Sequence, residues 1–581
     1  MWRLSARALL FVLMSCSAAF ASDDIVQKAM RDELDRSMRE LTLANLERPY
    51  FIAYRIMDVT STSASATFGS LIRSRENHVR MLNVEIRVGD YSFDNTGFIS
   101  ARSDRGDRGS SGFVNVLSLD DNYEQLRRYI WLATDIAYKK ALEDLAGKQS
   151  IARNKNLSEG VPDFTHEYPV VADDIQPSID ISRLEIEKRV RSVSSLFREM
   201  PEVLTSSVRL LVANVDTRYI NSEGTAFHKL QPWVSFDAKA ALQASDGMPL
   251  DNSLAIYARK WIDLPTTEEI TSRLRRMVAE TSSLKRASPL GNYNGPVLFE
   301  DEAGAEVLEQ VFLPGLLASK APVSDNPRLL AASAQQQTSF VNRIGSRVLP
   351  SFVGLSDDPT LEEYLGKQLP ITYKIDDEGV SSHATVLVQN GTLKTLLSTR
   401  TPVEGLSHST GNRWGEGPMA TNVVVAVSKG YSRSELRQRL LRMVTERGLD
   451  YGIIVRRVSN PVLADQEDGY RQPGSTSSEA PLNCLLAYKV FPDGREELTR
   501  NLQLSGLNAT AFRDVAGVST DLTLITEPMR TASVTFLDGG DPNVVSVAAP
   551  SLLFENVTLG TPTVDAPRPP VMPHPYFDSR N

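Results

Sequence analysis

Three glutamates, Glu302, Glu306 and Glu309, stand at i, i+4 and i+7 in the stretch EDEAGAEVLEQVFLPGLL. On a helix they share a face, and carboxylates so placed could hold a hard cation. The plainer reading is that acids in the first turns of a helix favour its dipole and face solvent. That solvent-facing arrangement is the expectation here. The six histidines (His78, His166, His228, His383, His408 and His574) are scattered, and no pair has the i, i+4 spacing that sets two imidazoles on one helix face. His383 and His408 could approach the glutamate helix as ligands, but a lone histidine on a strand is ordinarily structural. Cys484 sits in PLNCLLAYKV, an apolar strand that raises a thiol pKa rather than activating it. With no G-x-S-x-G elbow either, a nucleophilic hydrolase is rejected.

The elements that must position these residues are readable from periodicity. GPVLFEDEAGA reads as a buried strand turning into a helix. Val307, Leu308, Val311 and Phe312 continue that helix at helical spacing until Pro314-Gly315 breaks it. Upstream, residues 23–47, 122–146, 181–200 and 266–286 read as amphipathic helices. Between them YFIAYRIMDVTSTSASATFGSLI, HVRMLNVEIRVGDYSF, SSVRLLVANVDTRYINSEG and WVSFDAKAALQASDG read as strands, the last pair as a plain meander. SDRGDRGSSG (103–112) is a polar glycine loop.

Beyond the motif helix, SDNPRLLAASAQQQTSF is loop-like and strand signals dominate to residue 560, interrupted by one helix at 432–447. Asp377-Glu378-Gly379, Asn390-Gly391 and Asp493-Gly494 mark hairpin turns. DQEDGYRQPGSTSSEAP is a polar loop. KRASPLGNYNG carries linker signals near residues 287–295. No internal repeat is present.

The first 21 residues have the form of a signal peptide. Arg3 and Arg7 make a basic start, ALLFVLM is an apolar run too short to span a membrane, and Ala19-Phe20-Ala21 is a cleavage site before Ser22. The chain is therefore expected to be exported, periplasmic or secreted. Lipidation at Cys16, in a loose lipobox, is the lesser reading. The remaining chain of about 560 residues is too long for one core. A net charge of −9 argues against nucleic acid as a partner, and no later apolar run is long enough for a membrane span. Once Cys16 is removed, only Cys484 remains, so neither an internal disulfide nor a cysteine zinc cluster can form.

Several second-half segments together resemble the TldD/PmbA (TldD/TldE) family of metallopeptidase-related proteins. They are GPVLFEDEAGAEVL, YKIDDEGVSSHATVLVQNGTLKTLLSTRTP, STGNRWGEGPMATN, YKVFPDGREELTRNLQLSG and SVAAPSLLFENVTL, in the family's order across roughly residues 295–560. The resemblance implies an α+β class with two domains. Residues 22–290 would be an α+β N-terminal domain and residues 291–560 a mostly antiparallel β C-terminal domain, before a Pro-rich tail at 561–581. It also implies pairing, as a homo- or heterodimer with a TldD/PmbA-type subunit, and an extended peptide ligand. In active members an HExxxH helix and a C-terminal cysteine hold zinc.

Here the same frame carries Glu309 at the first histidine, Gln310 at the general base and Pro314 at the second histidine. An amide cannot take a proton from water, and proline has no side-chain donor. The stretch LDGGDPNVVSVAAP (537–550) has no cysteine. The expectation is an exported, degenerate member with no catalytic residues and no zinc of its own: a non-catalytic subunit or peptide-binding partner. The alternative is an active zinc metallopeptidase with atypical ligands. One geometric requirement stands apart. Positions five apart on an ideal α-helix diverge by about 140°, so an HExxxH pair needs a distorted turn.

Overall fold

A computed structural model describes residues 24–99, 115–155, 160–328, 330, 340–464, 482–529, 543–561, 570 and 572. The signal segment, the 103–112 loop, most of SDNPRLLAASAQQQTSF after Arg328, the 465–481 loop and most of the tail lie outside the described residues. The chain has an α+β fold in two domains.

The first domain is built on a sheet of seven strands. β1 (Pro49–Thr67) and β2 (Ser70–Val88) form a long hairpin. Its turn is Phe68-Gly69, with φ of +45° and +79°. A two-residue turn with positive φ at both positions matches the twist of the strands it joins. The sequence suggested one strand running on through GSLI; the turn instead cuts it at Gly69. β3 (Asn115–Leu117) edges β2, and β5 (Thr205–Asn221), β6 (Ala226–Gln243) and β7 (Pro249–Ala258) continue from β1 as a meander. β4 (Val171–Ile175) pairs parallel with the start of β6. β4 and β7 carried no strand signal strong enough to be read from the sequence.

Side-chain alternation divides this sheet into two faces. Ile52, Tyr54, Ile56, Leu82 and Val84 lie under α1 (Ile25–Glu40) and α2 (Tyr123–Lys155). Further along the same face, Ala64, Leu210, Val212, Val234 and Phe236 lie under α3 (Arg183–Ser194) and α4 (Thr267–Ser283). The opposite face belongs to the second domain. Phe51, Ala53, Tyr219 and Phe227 pack with Ile375, while Leu211, Ala213, Trp233 and Tyr257 pack with Ile371, Tyr373, Trp414 and Val544.

The second domain centres on a sheet of twelve strands. Its middle is β8 (Tyr293–Phe299), flanked by β17 (Val544–Gly560, antiparallel) and β12 (Gly452–Val458, parallel). On one side of β17 lie β11 (Asn422–Val427), β9 (Val353–Asp357) and β10 (Thr385–Gln389); beyond β12 lie β13 (Asn483–Val490) and β14 (Glu496–Arg500). β15 (Leu502–Ser505) and β16 (Gly517–Pro528) add further pairs on β17. Val297 and Phe299 of β8 face the large core under the motif helix. Leu298 points the other way, onto α6 (Arg433–Glu446). The segment read as a linker joins this sheet: Ser288–Pro289 pairs with Thr499–Arg500.

One long stretch read as strand is mostly not strand. TYKIDDEGVSSHATVLVQNGTLK pairs regularly only at β10 and Thr392–Leu393. The acids of its turn take the backbone donors that a ladder would otherwise take. Asp376 accepts the N–H groups of Glu378, Val380 and Arg413, Asp377 that of Gly415, and Glu378 that of Arg400.

Candidate functional site

The motif helix leaves β8 through a fixed corner. Glu300 is fully buried and receives Arg437 (Nε, 2.7 Å), Arg433 (Nη2, 2.9 Å) and Arg456 (Nε, 3.1 Å). Burial alone would raise its carboxyl, but the Arg437 and Arg433 guanidiniums overcome that and hold it down at about 2. Asp301 turns the chain with φ +52°, and its N–H donates to Ser551 Oγ at 2.9 Å. α5 (Glu302–Val307) then crosses β17 at Gly304. A Cβ there would lie 2.4 Å from the Pro550 carbonyl oxygen, so only glycine admits this approach.

Past Val307 the helix changes pitch. Leu308–Phe312 is a π turn, closed by the Leu313 N–H donating to the Leu308 carbonyl, and Leu313–Leu316 tightens to a 3-10 turn. Pro314 contributes to this. It has no N–H, and its ring opposes the carbonyl four residues back. A π turn brings residues five apart closer to one face. The backbone distortion that an HExxxH pair needs is therefore present between Glu309 and Pro314, although neither residue is histidine.

The glutamate face is not solvated as the sequence suggested. Only Glu302 is exposed; Glu306 and Glu309 are both 0% exposed and Gln310 is 8%. The helix runs through the core rather than over it, with Phe312 against Phe340 and Phe512 on its far side. Glu306 accepts the Val458 N–H at 2.5 Å and pairs with Arg457 Nε at 2.8 Å. Burial pushes its carboxyl up to about 8, against the pull of Arg457 and with the help of Glu527. Arg457 also reaches Glu302 at 3.0 Å and Glu527 at 3.9 Å, and Glu527 accepts from Asn460 Nδ2 at 3.0 Å. Gln310 is different: neither its amide nitrogen nor its amide oxygen has a hydrogen-bond partner among the described residues.

The other candidates are placed apart. His383 is exposed, with its ring Nδ1 3.5 Å from the Ser381 carbonyl. His408 is exposed and faces Glu167 of the first domain at 3.6 Å. Among the described residues neither hydrogen-bonds to or pairs with the motif helix. Cys484 is buried opposite Val458 on β13. Burial pushes its thiol up to about 12, and the Glu306 charge adds to that. Among the described residues no three His, Cys, Asp or Glu side chains converge as a ligand set. Of the C-terminal stretch, residues 537–542 lie outside the described residues. The donors present do not fit zinc, which takes imidazole, thiolate or free carboxylate. At the motif positions Glu309 offers a carboxylate, Gln310 an amide and Pro314 nothing, while Glu306 is engaged by Arg457, which falls short of a zinc ligand set.

Sequence reasoning missed the corner at Glu300 and the Glu306–Arg457–Glu527 chain. Arg433 and Arg437, one turn apart on α6, were a faint signal. The remaining partners come from distant strands.

A two-domain α+β protein whose β-rich domain carries a strand–turn–helix of this form has known counterparts. Residues 291–561 match the PmbA/TldA metallopeptidase C-terminal domain. A metalloprotease of Methanocaldococcus jannaschii is 23% identical over 358 residues, 58% of this chain and 73% of that protein. A Thermotoga maritima protein described as a modulator of a DNA gyrase shares the fold, with a TM-score of 0.58 at 17% identity over 92% of this chain and 100% of that one. TldE of Thermococcus kodakarensis does so with a TM-score of 0.52 at 14% identity, over 92% of this chain and 100% of that one. The C-terminal domain is that of the TldD/PmbA family, and the whole chain shares the fold of the family's solved structures.

Proposed function

We propose that this protein is an exported, non-catalytic subunit of a TldD/PmbA-type peptidase assembly. In this reading it pairs with a second family subunit and holds an extended peptide for a partner that carries the zinc. One observation supports it above the rest. The motif helix keeps its corner, its glycine crossing and its π turn, while the three chemical positions read Glu309, Gln310 and Pro314. A groove without a base or a Lewis acid binds substrate but does not lower the barrier to amide hydrolysis. The proposed export rests on the leader ending at Ala21, which predicts a mature N-terminus at or near Ser22.

The test is to purify the exported chain alone, measure its zinc by elemental analysis and incubate it with a disordered peptide with and without added zinc. The expected result is no stoichiometric zinc and no cleavage, with cleavage appearing when an HExxxH-bearing family subunit is added. Tightly held zinc, or metal-dependent cleavage by the lone chain that Glu309→Ala abolishes, overturns the reading.

A further inference from the structure

The outer face of α2 is apolar where a solvent-facing helix is ordinarily polar. Tyr129, Leu132 and Ile136 stand at i, i+3 and i+7, so they share one side of the helix. They are 39%, 47% and 38% exposed. The buried residues Ile130, Ala141 and Leu145 hold the opposite side, against the first sheet. Trp131, 48% exposed, widens the patch toward α1. It lies one turn beyond Arg127, which reaches Glu33 of α1 at 3.4 Å. The Tyr138 hydroxyl donates to the Glu47 carbonyl at 2.6 Å and so brings the loop after α1 alongside, with Leu43 and Leu46 exposed on it. In the second domain, among the described residues, Leu365 and Val386 are the only large apolar side chains so exposed. Single apolar residues at a surface need no explanation, but six gathered on one helix and the loop beside it mark an interaction surface.

The charges beside the patch indicate what covers it. Glu124, Arg128 and Lys139 are exposed, and Asp135 is partly so. All four lie along one flank of the Leu132 face. When two copies of α2 are set antiparallel about a two-fold axis at Leu132, residues equally far before and after it face each other. Leu132 then meets its own copy, Tyr129 lies against Ile136, Glu124 comes beside Lys139 and Arg128 beside Asp135. Each of the four charges meets its opposite, and the symmetry repeats every pair. Within one chain Lys139 already pairs with Asp135 at 2.6 Å, so the facing Arg128 and Glu124 extend that pair into a network. Six half-exposed side chains of this size, with their charged flank, offer an area close to the ~800 Å² per partner that a stable interface buries. A lipid surface fits less well, because Asp120, Glu124 and Asp135 at the border repel anionic headgroups.

We propose that this face of α2 docks a second copy of this chain, the two helices packing antiparallel about a two-fold axis at Leu132. The interface goes beyond the pseudo-peptidase reading. It uses no residue of the motif helix, and it lies on the side of the first sheet turned away from the second domain.

The test is sedimentation velocity on the full exported chain across a concentration series. A reversible dimer is expected. Leu132→Glu sets two carboxylates face to face and should raise the dissociation constant at least tenfold, with the circular dichroism spectrum unchanged. Arg128→Glu and Asp135→Arg should each weaken self-association, and the two variants mixed should associate as the parent does, since each supplies the charge the other lacks. A chain that stays monomeric throughout overturns the proposal, as does a dimer unmoved by a folded Leu132→Glu variant or a mixture that fails to associate. Should Leu132→Glu not fold, the mixing experiment decides alone. Phosphatidylglycerol vesicles that capture the parent but not Leu132→Glu, with no dimer in solution, overturn it in favour of lipid. Zinc content and partner-dependent cleavage are separate readouts, so failure of the pseudo-peptidase reading and failure of this interface are told apart.

Discussion

The motif helix and the seam between the domains both bury acids, yet they treat them differently. At the seam, Asp377 takes Lys229 at 2.6 Å and Arg55 at 3.4 Å. Burial would raise its carboxyl, but the two cations hold it down at about 2. Arg400 bridges the domains with a two-pronged bond to Glu223, at 2.6 and 2.9 Å, while lying 3.8 Å above the Phe164 ring. On the motif helix, Glu306 has one guanidinium and sits at about 8, and Gln310 has no hydrogen-bond partner among the described residues. Asp377 and Glu223 meet cations across the join between domains, whereas Asp376 beside them takes backbone N–H groups and is pushed up by burial and Glu378. The helix keeps polar groups where packing alone would favour apolar ones.

Arg400→Ala should have the largest effect. It strips a buried guanidinium from Glu223 and from the Phe164 face, and losing one member of a buried pair costs about 3–5 kcal/mol. Chemical denaturation measures it, and a loss below about 1 kcal/mol would break the contrast with the helix.

Glu306→Gln should act through pH. A carboxyl with a folded pKa near 8 and an unfolded value near 4.5 binds more protons when folded between those limits. Stability from this group is therefore full below about 4.5 and falls as pH rises toward 8, by a few kcal/mol in total. Burial and Glu378 push Asp376 up to about 7, and it contributes in the same direction. Only the difference between Glu306→Gln and the parent isolates Glu306. Melting curves across pH 5–8 should be flatter in the variant, and parallel slopes would show that Glu306 is not the group responsible. Asp377→Asn should do the opposite at the acid end. The Asp377 contribution is present above about 3.8 and lost as pH falls through about 2.

Gln310→Met should give the smallest effect and the most telling sign. It replaces an unpartnered buried amide with a chain of similar shape, and should raise stability by about 1 kcal/mol. A clear loss of stability would mean that the amide has a partner and that the helix is as well matched as the seam.

Much of this was legible in the sequence. Helical and strand periodicity located α1 through α4, the meander, and the strand feeding the motif helix, because those patterns are local. That positions 309, 310 and 314 read Glu, Gln and Pro, and not HExxxH, is a matter of sequence alone. The burial of Glu306 and Glu309 was not legible. Acids spaced along the start of a helix look solvated until the strand that covers them is known, and Glu306 meets a backbone N–H 152 residues away. The irregular course around Asp376 was hidden too, since its turn residues hydrogen-bond to a loop rather than to a paired strand.

The turn at Asp376–Gly379 also has a mechanical consequence. A Cβ on Gly379 would come within 2.4 Å of the Thr225 methyl, so the turn is seated in the first sheet with no clearance. Together with Lys229–Asp377 and Arg400–Glu223, it ties the two domains at three places. A joint loaded this way resists sliding and rotation at once.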